Sequence, residues 1–262
     1  MYVAAIMSAI CIHPFVFLVL FAIVVGLSIW EFYELEKENN VRNKLFAIAG
    51  GMYLFTASFF YAGGFTSAHI FYPYLFFLLT LLILTLYRRS TSKPIENCAL
   101  SFFAQFYCAG LLSMLNFIVF DPATKQYFPS FALLIFIFVW INDTFAYLTG
   151  ITFGKHPLFQ RISPKKSWEG FWGGFFFVAL SSLIVSYYFP EIIQWHQSLL
   201  LGILTVIFAT WGDLVESLLK RSGGVKDSGT FFPGHGGILD RFDSIILAAP
   251  AVYIYIELFI RN

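Results

Sequence analysis

The chain has 262 residues, of which 59% are hydrophobic and 12% charged, and its net charge is +1. With a mean hydropathy of +0.76, the composition excludes an ordinary water-soluble domain and is that of a polytopic membrane protein. A charge this close to zero gives no electrostatic footprint for nucleic acid, and none is expected as a partner.

A membrane span needs about 20 mostly apolar residues. Residues 1–12 are apolar but too short to cross; they read either as the remnant of a ninth span or as a helix that only dips into the membrane. Eight full transmembrane helices follow, at 14–32, 45–61, 70–87, 99–120, 131–153, 170–189, 198–219 and 242–260. The first closes on the aromatic and acidic run Trp30-Glu31-Phe32-Tyr33-Glu34. The expected fold class is therefore all-α. No A-x-A-like cleavage site follows the first apolar run, so targeting is expected to come from the spans themselves. Cys11, Cys98 and Cys108 form no CxxC pair and are expected to be free, buried thiols.

Loops alternate sides of a bilayer, and cytoplasmic loops carry the excess of Lys and Arg. With these spans, only Lys125 and Arg261 of the 16 basic residues fall on the side opposite the rest. The charged loops are thus expected to face the cytoplasm. No linker, heptad or internal repeat interrupts the chain, so one transmembrane domain over 1–262 is the simplest expectation. Within it, 1–130 would supply scaffold and lipid contact, and 131–262 the chemistry.

Polar residues gather after Trp140. Asp213, Glu216, Ser217 and Lys220 fall at i, i+3, i+4 and i+7, one face of a helix. A buried ion pair would account for them; intramembrane carboxylates more often mark function. Lys220 and Arg221 stand at the cytoplasmic mouth, followed by Gly223-Gly224-Val225-Lys226-Asp227-Ser228-Gly229, a loop whose amides can face an anion. In Pro233-Gly234-His235-Gly236-Gly237, glycines flank a His that can donate to phosphate or shuttle a proton. Asp240-Arg241-Phe242-Asp243 opens the last span. Acidic residues there also suit a helix dipole, but Asp240 and Asp243 with Asp213 would make an oxygen-rich site suited to Mg²⁺.

A second constellation lies upstream. Asn142-Asp143-Thr144 sits inside an apolar span, where it can bond neighbouring helices or line a cavity. In Ser163-Pro164-Lys165-Lys166-Ser167-Trp168-Glu169-Gly170, the lysines can bind a polyphosphate or simply obey the charge rule, and Ser167 to Glu169 can cap the next helix.

The run Ser217-x-x-Lys220-Arg221-x4-Lys226-Asp227-x-Gly229-x3-Pro233-Gly234-His235-Gly236-Gly237-x2-Asp240-Arg241-x-Asp243 resembles the signature of the phosphatidate cytidylyltransferases, or CDP-diacylglycerol synthases. The blocks Ser163 to Gly170, Asn142 to Tyr147 and Gly212 to Ser217 are similar to others of that family. The resemblance implies an Mg²⁺-dependent, homodimeric, multi-helix membrane enzyme, with K⁺ associated with its metal site. Such an enzyme joins CTP and phosphatidic acid into CDP-diacylglycerol and pyrophosphate. It implies a bacterial-type cytoplasmic membrane with the active site facing the cytoplasm. By the match, Asp213 and Asp240 hold the metal, with Asp243 and Asp227 in support. Lys220, Arg221, Lys226, His235, Gly236 and Gly237 hold phosphates, with Arg241 beside them. Ser163, Lys165, Lys166 and Glu169 place the nucleotide. The rival readings are a related CTP-dependent lipid-phosphate transferase, a polyprenol kinase, and a cation-coupled transporter built around Asp143 and Asp213.

Overall fold

A computed structural model describes residues 2–35, 41–87, 94–225, 229 and 236–261. Among them, eight helical stretches are long and apolar enough to cross a membrane, and a shorter apolar helix precedes them. The expected all-α, eight-span architecture is therefore present, with the N-terminal stretch as a helix, α1 (Tyr2–Ile12). The chain forms two compact units: Met1–Pro129 with Ser228–Leu239, and Ser130–Asp227 with Asp240–Asn262.

The first unit holds α2 (Pro14–Leu35), α3 (Val41–Ala62), a 3₁₀ turn (Ala68–Phe71) that runs into α4 (Tyr72–Tyr87), α5 (Pro94–Ala104), and α6 (Leu111–Val119). A π-helical turn at Gln105–Gly110 joins the last two into one span. Its interior is aromatic: Phe17, Phe21 and Phe55 are fully buried and pack ring against ring. Lipid supplies no hydrophobic drive between helices, so buried polar groups contribute by bonding across them. Gln105 Nε2 donates to the Ala47 carbonyl at 2.8 Å, and Asn116 Nδ2 donates to the Phe55 carbonyl and to Ser58 Oγ at 2.9 and 2.7 Å. By contrast α4 turns Leu75, Phe76, Leu79, Leu82 and Ile83 outward, as a lipid-facing span would.

The second unit holds α7 (Ser130–Phe153), α8 (Trp168–Tyr188), α9 (Trp195–Ser222) and, from Asp240 on, α10 (Leu239–Phe259). The small residues Gly170, Gly173 and Gly174 bring α8 close to α7. Between these two helices the chain does something the sequence reading leaves out. It forms an antiparallel hairpin, β1 (Pro157–Phe159) with β2 (Ser163–Ser167), pairing Pro157 with Ser167 and Phe159 with Ser163. Ser167 then caps α8, its Oγ accepting from the Gly170 N–H at 3.1 Å.

Candidate active site

The site is built inside the second unit by its four helices and the hairpin. α9 runs 28 residues, longer than a bilayer core requires, so its last turns carry charge. Asp213, Glu216 and Lys220 line one face of it, as their spacing predicts. α10 brings Asp240 and Asp243 alongside. The approach is close: a Cβ on Gly212 would stand 2.4 Å from the Asp243 carbonyl oxygen, a backbone atom that cannot swing aside. Gly212→Val is therefore expected to lower stability by about 1–3 kcal/mol or more, measured as thermal unfolding in detergent, with loss of the acidic centre's geometry.

Asp213, Glu216 and Asp243 bring one carboxylate oxygen each to within 4.8 Å of one another. Glu216 is wholly buried, and neither of its oxygens meets a donor in hydrogen-bond alignment. A buried carboxylate is costly unless nearby cations offset its charge. The Lys220 ammonium stands 2.7 Å from Glu216 Oε2, but its aligned hydrogen bond goes to Asp240 Oδ1, also at 2.7 Å. Asp243 Oδ1 accepts from the Ser244 N–H at 2.6 Å, and Asp213 Oδ1 from Ser217 Oγ at 3.3 Å. An all-oxygen set of this kind, with a wholly buried carboxylate in it, fits a hard divalent cation.

This grouping differs from the sequence expectation in one residue. Asp240 was expected beside Asp213 and Asp243 as a metal carboxylate. In the structure Asp240 binds Lys220, and Glu216 joins the other two. The reason is reach: Lys220, one turn beyond Glu216, has a stem long enough to bridge both carboxylates. Lys220 itself, expected to hold phosphate, is thereby engaged inside the acidic network.

The hairpin supplies the opposing charge. Lys166 forms an ion pair with Asp213 Oδ2, and Lys165 beside it is exposed. Glu169, expected to place the nucleotide, has both oxygens engaged nearer home. Oε2 accepts from the backbone N–H groups of Lys155 and His156 at 3.1 and 3.2 Å, and Oε1 pairs with His156 Nδ1 at 2.6 Å. It ties the end of α7 to the start of α8 and so braces the hairpin that presents the two lysines.

A cavity of about 560 Å³ opens here, its polar lining residues including Asn142, Asp143, Ser163, Lys165, Lys166 and Asp213. Its apolar lining residues include Tyr147, Ile151, Leu158 and Phe171. Asp143 lies within electrostatic reach of Asp213 and Lys166, and accepts from Asn142 Nδ2 at 3.4 Å. The cavity lining thus combines charged and apolar side chains.

Of the remaining expected residues, Arg221 is exposed at the end of α9, with Nη1 donating to the Val225 carbonyl at 3.2 Å. Arg241 lies in the first turn of α10, half-buried. Gly236 and Gly237 belong to the first unit. Lys226, Asp227 and His235 lie outside the described residues.

Comparison with known proteins agrees with this chemistry. The model of the Cytidylyltransferase family matches residues 1–259. A phosphatidate cytidylyltransferase of Aquifex aeolicus (strain VF5) is 46% identical over 126 residues, 48% of this chain and 47% of that protein. One from Staphylococcus epidermidis (strain ATCC 35984) is 45% identical over 128 residues, 47% of this chain and 48% of its own length. In both cases the chain spans about half the length of the relative it matches. A phosphatidate cytidylyltransferase of Haemophilus influenzae (strain ATCC 51907) is 31% identical over 270 residues, covering 95% of this chain and 92% of that one. With the family model matched along nearly its whole length, over an acidic centre set beside a cationic hairpin, this chain belongs to the cytidylyltransferase family.

Proposed function

We propose that the protein transfers CMP from CTP to phosphatidic acid, releasing pyrophosphate and forming CDP-diacylglycerol. The observation that carries this reading is the cavity lined both by Lys165, Lys166 and Asp213 and by the apolar Tyr147, Ile151, Leu158 and Phe171. A nucleoside triphosphate needs the cations, and a lipid phosphate needs both the cations and the apolar lining. A phosphate monoester oxygen is already a nucleophile at neutral pH, so attack on the α-phosphorus calls for no strong base. The work left to the protein is positioning and charge neutralisation. Lys165 and Lys166 hold phosphate oxygens, with Arg221, Lys226 and His235 assigned the same task by the family pattern. Ser163 and the Glu169-braced hairpin fix where those cations stand. Asp213, Glu216 and Asp243 would hold Mg²⁺, which when bound would supply positive charge to the triphosphate.

The reading places the site at the cytoplasmic face of a bacterial-type membrane, in a homodimer, with the first half of the chain as scaffold. The test is an assay in detergent with CTP, phosphatidic acid and Mg²⁺, following labelled CMP into the lipid phase and pyrophosphate into water. Label transfer that stops on chelation by EDTA and returns with added Mg²⁺ is the expected result. Folded protein that binds CTP yet transfers nothing to phosphatidic acid would reassign the acceptor. Folded protein that does not bind CTP would sink the reading.

A further inference from the structure

The hairpin that carries Lys165 and Lys166 has little of its own to hold it in shape. Its strands are three and five residues long, and a two-stranded hairpin by itself is at best marginally stable. Pro157 and Pro164 have no N–H, so each removes a possible ladder donor. Yet β2 places Ser163, Lys165, Lys166 and Ser167 in the lining of the cavity, and β1 adds Leu158. Where those cations stand therefore depends on what closes the open end of the hairpin, between residues 155–156 and 168–169.

His156 closes it. Its carbonyl accepts the Trp168 N–H at 2.9 Å, one of the N–H groups that the first turn of a helix leaves without an intrahelical acceptor. Its own N–H donates to Glu169 Oε2 at 3.2 Å, beside the Lys155 N–H at 3.1 Å. Its ring Nδ1 lies 2.6 Å from Glu169 Oε1. An ionised carboxylate only accepts, so Nδ1 carries the hydrogen. The backbone contacts need no particular side chain at 156; the ring contact does. The His156 side chain is 76% exposed, so this pair adds little to the stability of the whole chain and its effect is local.

We propose that His156 is a positioning residue of the transfer reaction. Its ring keeps the Glu169 carboxylate turned back over the hairpin base, and the closed base sets Lys165 and Lys166 in the cavity for phosphate. This rests on the CTP-transfer reading above, which assigns those lysines to phosphate oxygens. His156 acts through them, so its effect depends on their presence. Lys166 is also held by its ion pair with Asp213, which leaves Lys165 the more dependent on the closed base.

The experiment measures CMP transfer and thermal unfolding in detergent for His156→Ala, His156→Asn and His156→Gln. His156→Ala is expected to raise the KM for CTP about 3- to 10-fold, the scale of one lost hydrogen bond, with the unfolding temperature nearly unchanged. His156→Asn can set an amide nitrogen where Nδ1 stands and is expected to recover most of the loss; the longer His156→Gln is not. In a Lys165→Ala background the effect of His156→Ala should shrink to about 2-fold or less, because the cation it positions is gone. An equal rise in both backgrounds would overturn the proposal, as would a KM within about 2-fold of the unsubstituted chain or a fall in kcat alone. If His156→Ala does not fold, His156→Gln carries the same readouts. If the unsubstituted chain transfers no CMP, the transfer reading fails by itself. Amide exchange in peptides covering 157–168 then decides the latch: faster exchange in His156→Ala than in His156→Asn upholds it, and unchanged exchange refutes it.

Discussion

Asp213→Asn is expected to lower turnover of CMP transfer about 10²–10³-fold, the scale at which losing one preorganised electrostatic group slows such reactions. Two features make this residue the most sensitive. It belongs to the three-carboxylate centre, and it is also the partner of Lys166, so it joins the acidic centre to the cationic hairpin. Asn keeps the shape and removes the charge, so helix content and detergent stability should change little. The Mg²⁺ concentration for half-activation separates the two carboxylate sets. It should rise in Asp213→Asn, Glu216→Gln and Asp243→Asn, and stay near the unsubstituted value in Asp240→Asn. A rise in Asp240→Asn with none in Glu216→Gln would restore the grouping read from the sequence and refute the one seen in the structure.

The membrane architecture was legible because a span is a statement about length and polarity, and both are printed in the sequence. Helical periodicity likewise placed Asp213, Glu216 and Lys220 on one face. What periodicity leaves open is which of two nearby carboxylates a long cation selects. Asp240 and Asp243 are three residues apart and share a face, so the pattern alone treats them alike. Lys220 separates them by reach, taking Asp240 and leaving Asp243 to Asp213 and Glu216. The hairpin at 157–167 was illegible for another reason: Ser163-Pro164-Lys165-Lys166-Ser167 shows no apolar alternation, and its pairing is imposed by the helices at either end. Glu31, whose buried carboxylate accepts the Ile238 and Leu239 N–H groups, was hidden by its neighbours. In Trp30-Glu31-Phe32-Tyr33-Glu34 it reads as part of an interfacial belt, and nothing local points to backbone amides 207 residues away. The signal that could have found it is the lack of a capping side chain before Leu239, which obliges the fold to bring an acceptor from elsewhere.

Lys220→Met is expected to destabilise the protein by about 3–5 kcal/mol, the cost of removing one partner from a buried ionic group. The lysine is 13% exposed in its side chain, Asp240 likewise, and Glu216 not at all. Solvent therefore does little to screen the carboxylates left behind. A lysine that served only as a phosphate ligand would behave differently: its loss would raise the KM for CTP and leave the empty protein's stability alone. A double-mutant cycle distinguishes the two. In a Glu216→Gln background one of the stranded charges is already gone, so Lys220→Met should cost less there than in the unsubstituted chain. The coupling is expected at about 0.5–3 kcal/mol, the range for residues in one ionic network. Thermal or denaturant unfolding in detergent, without nucleotide, measures it directly. Strict additivity would show that Lys220 does not hold Glu216 and Asp240 together, and would return it to the phosphates. A clear coupling identifies Lys220 as the internal counter-charge of the acidic centre. The KM for CTP should then rise more on loss of Lys165 or Lys166 than on loss of Lys220.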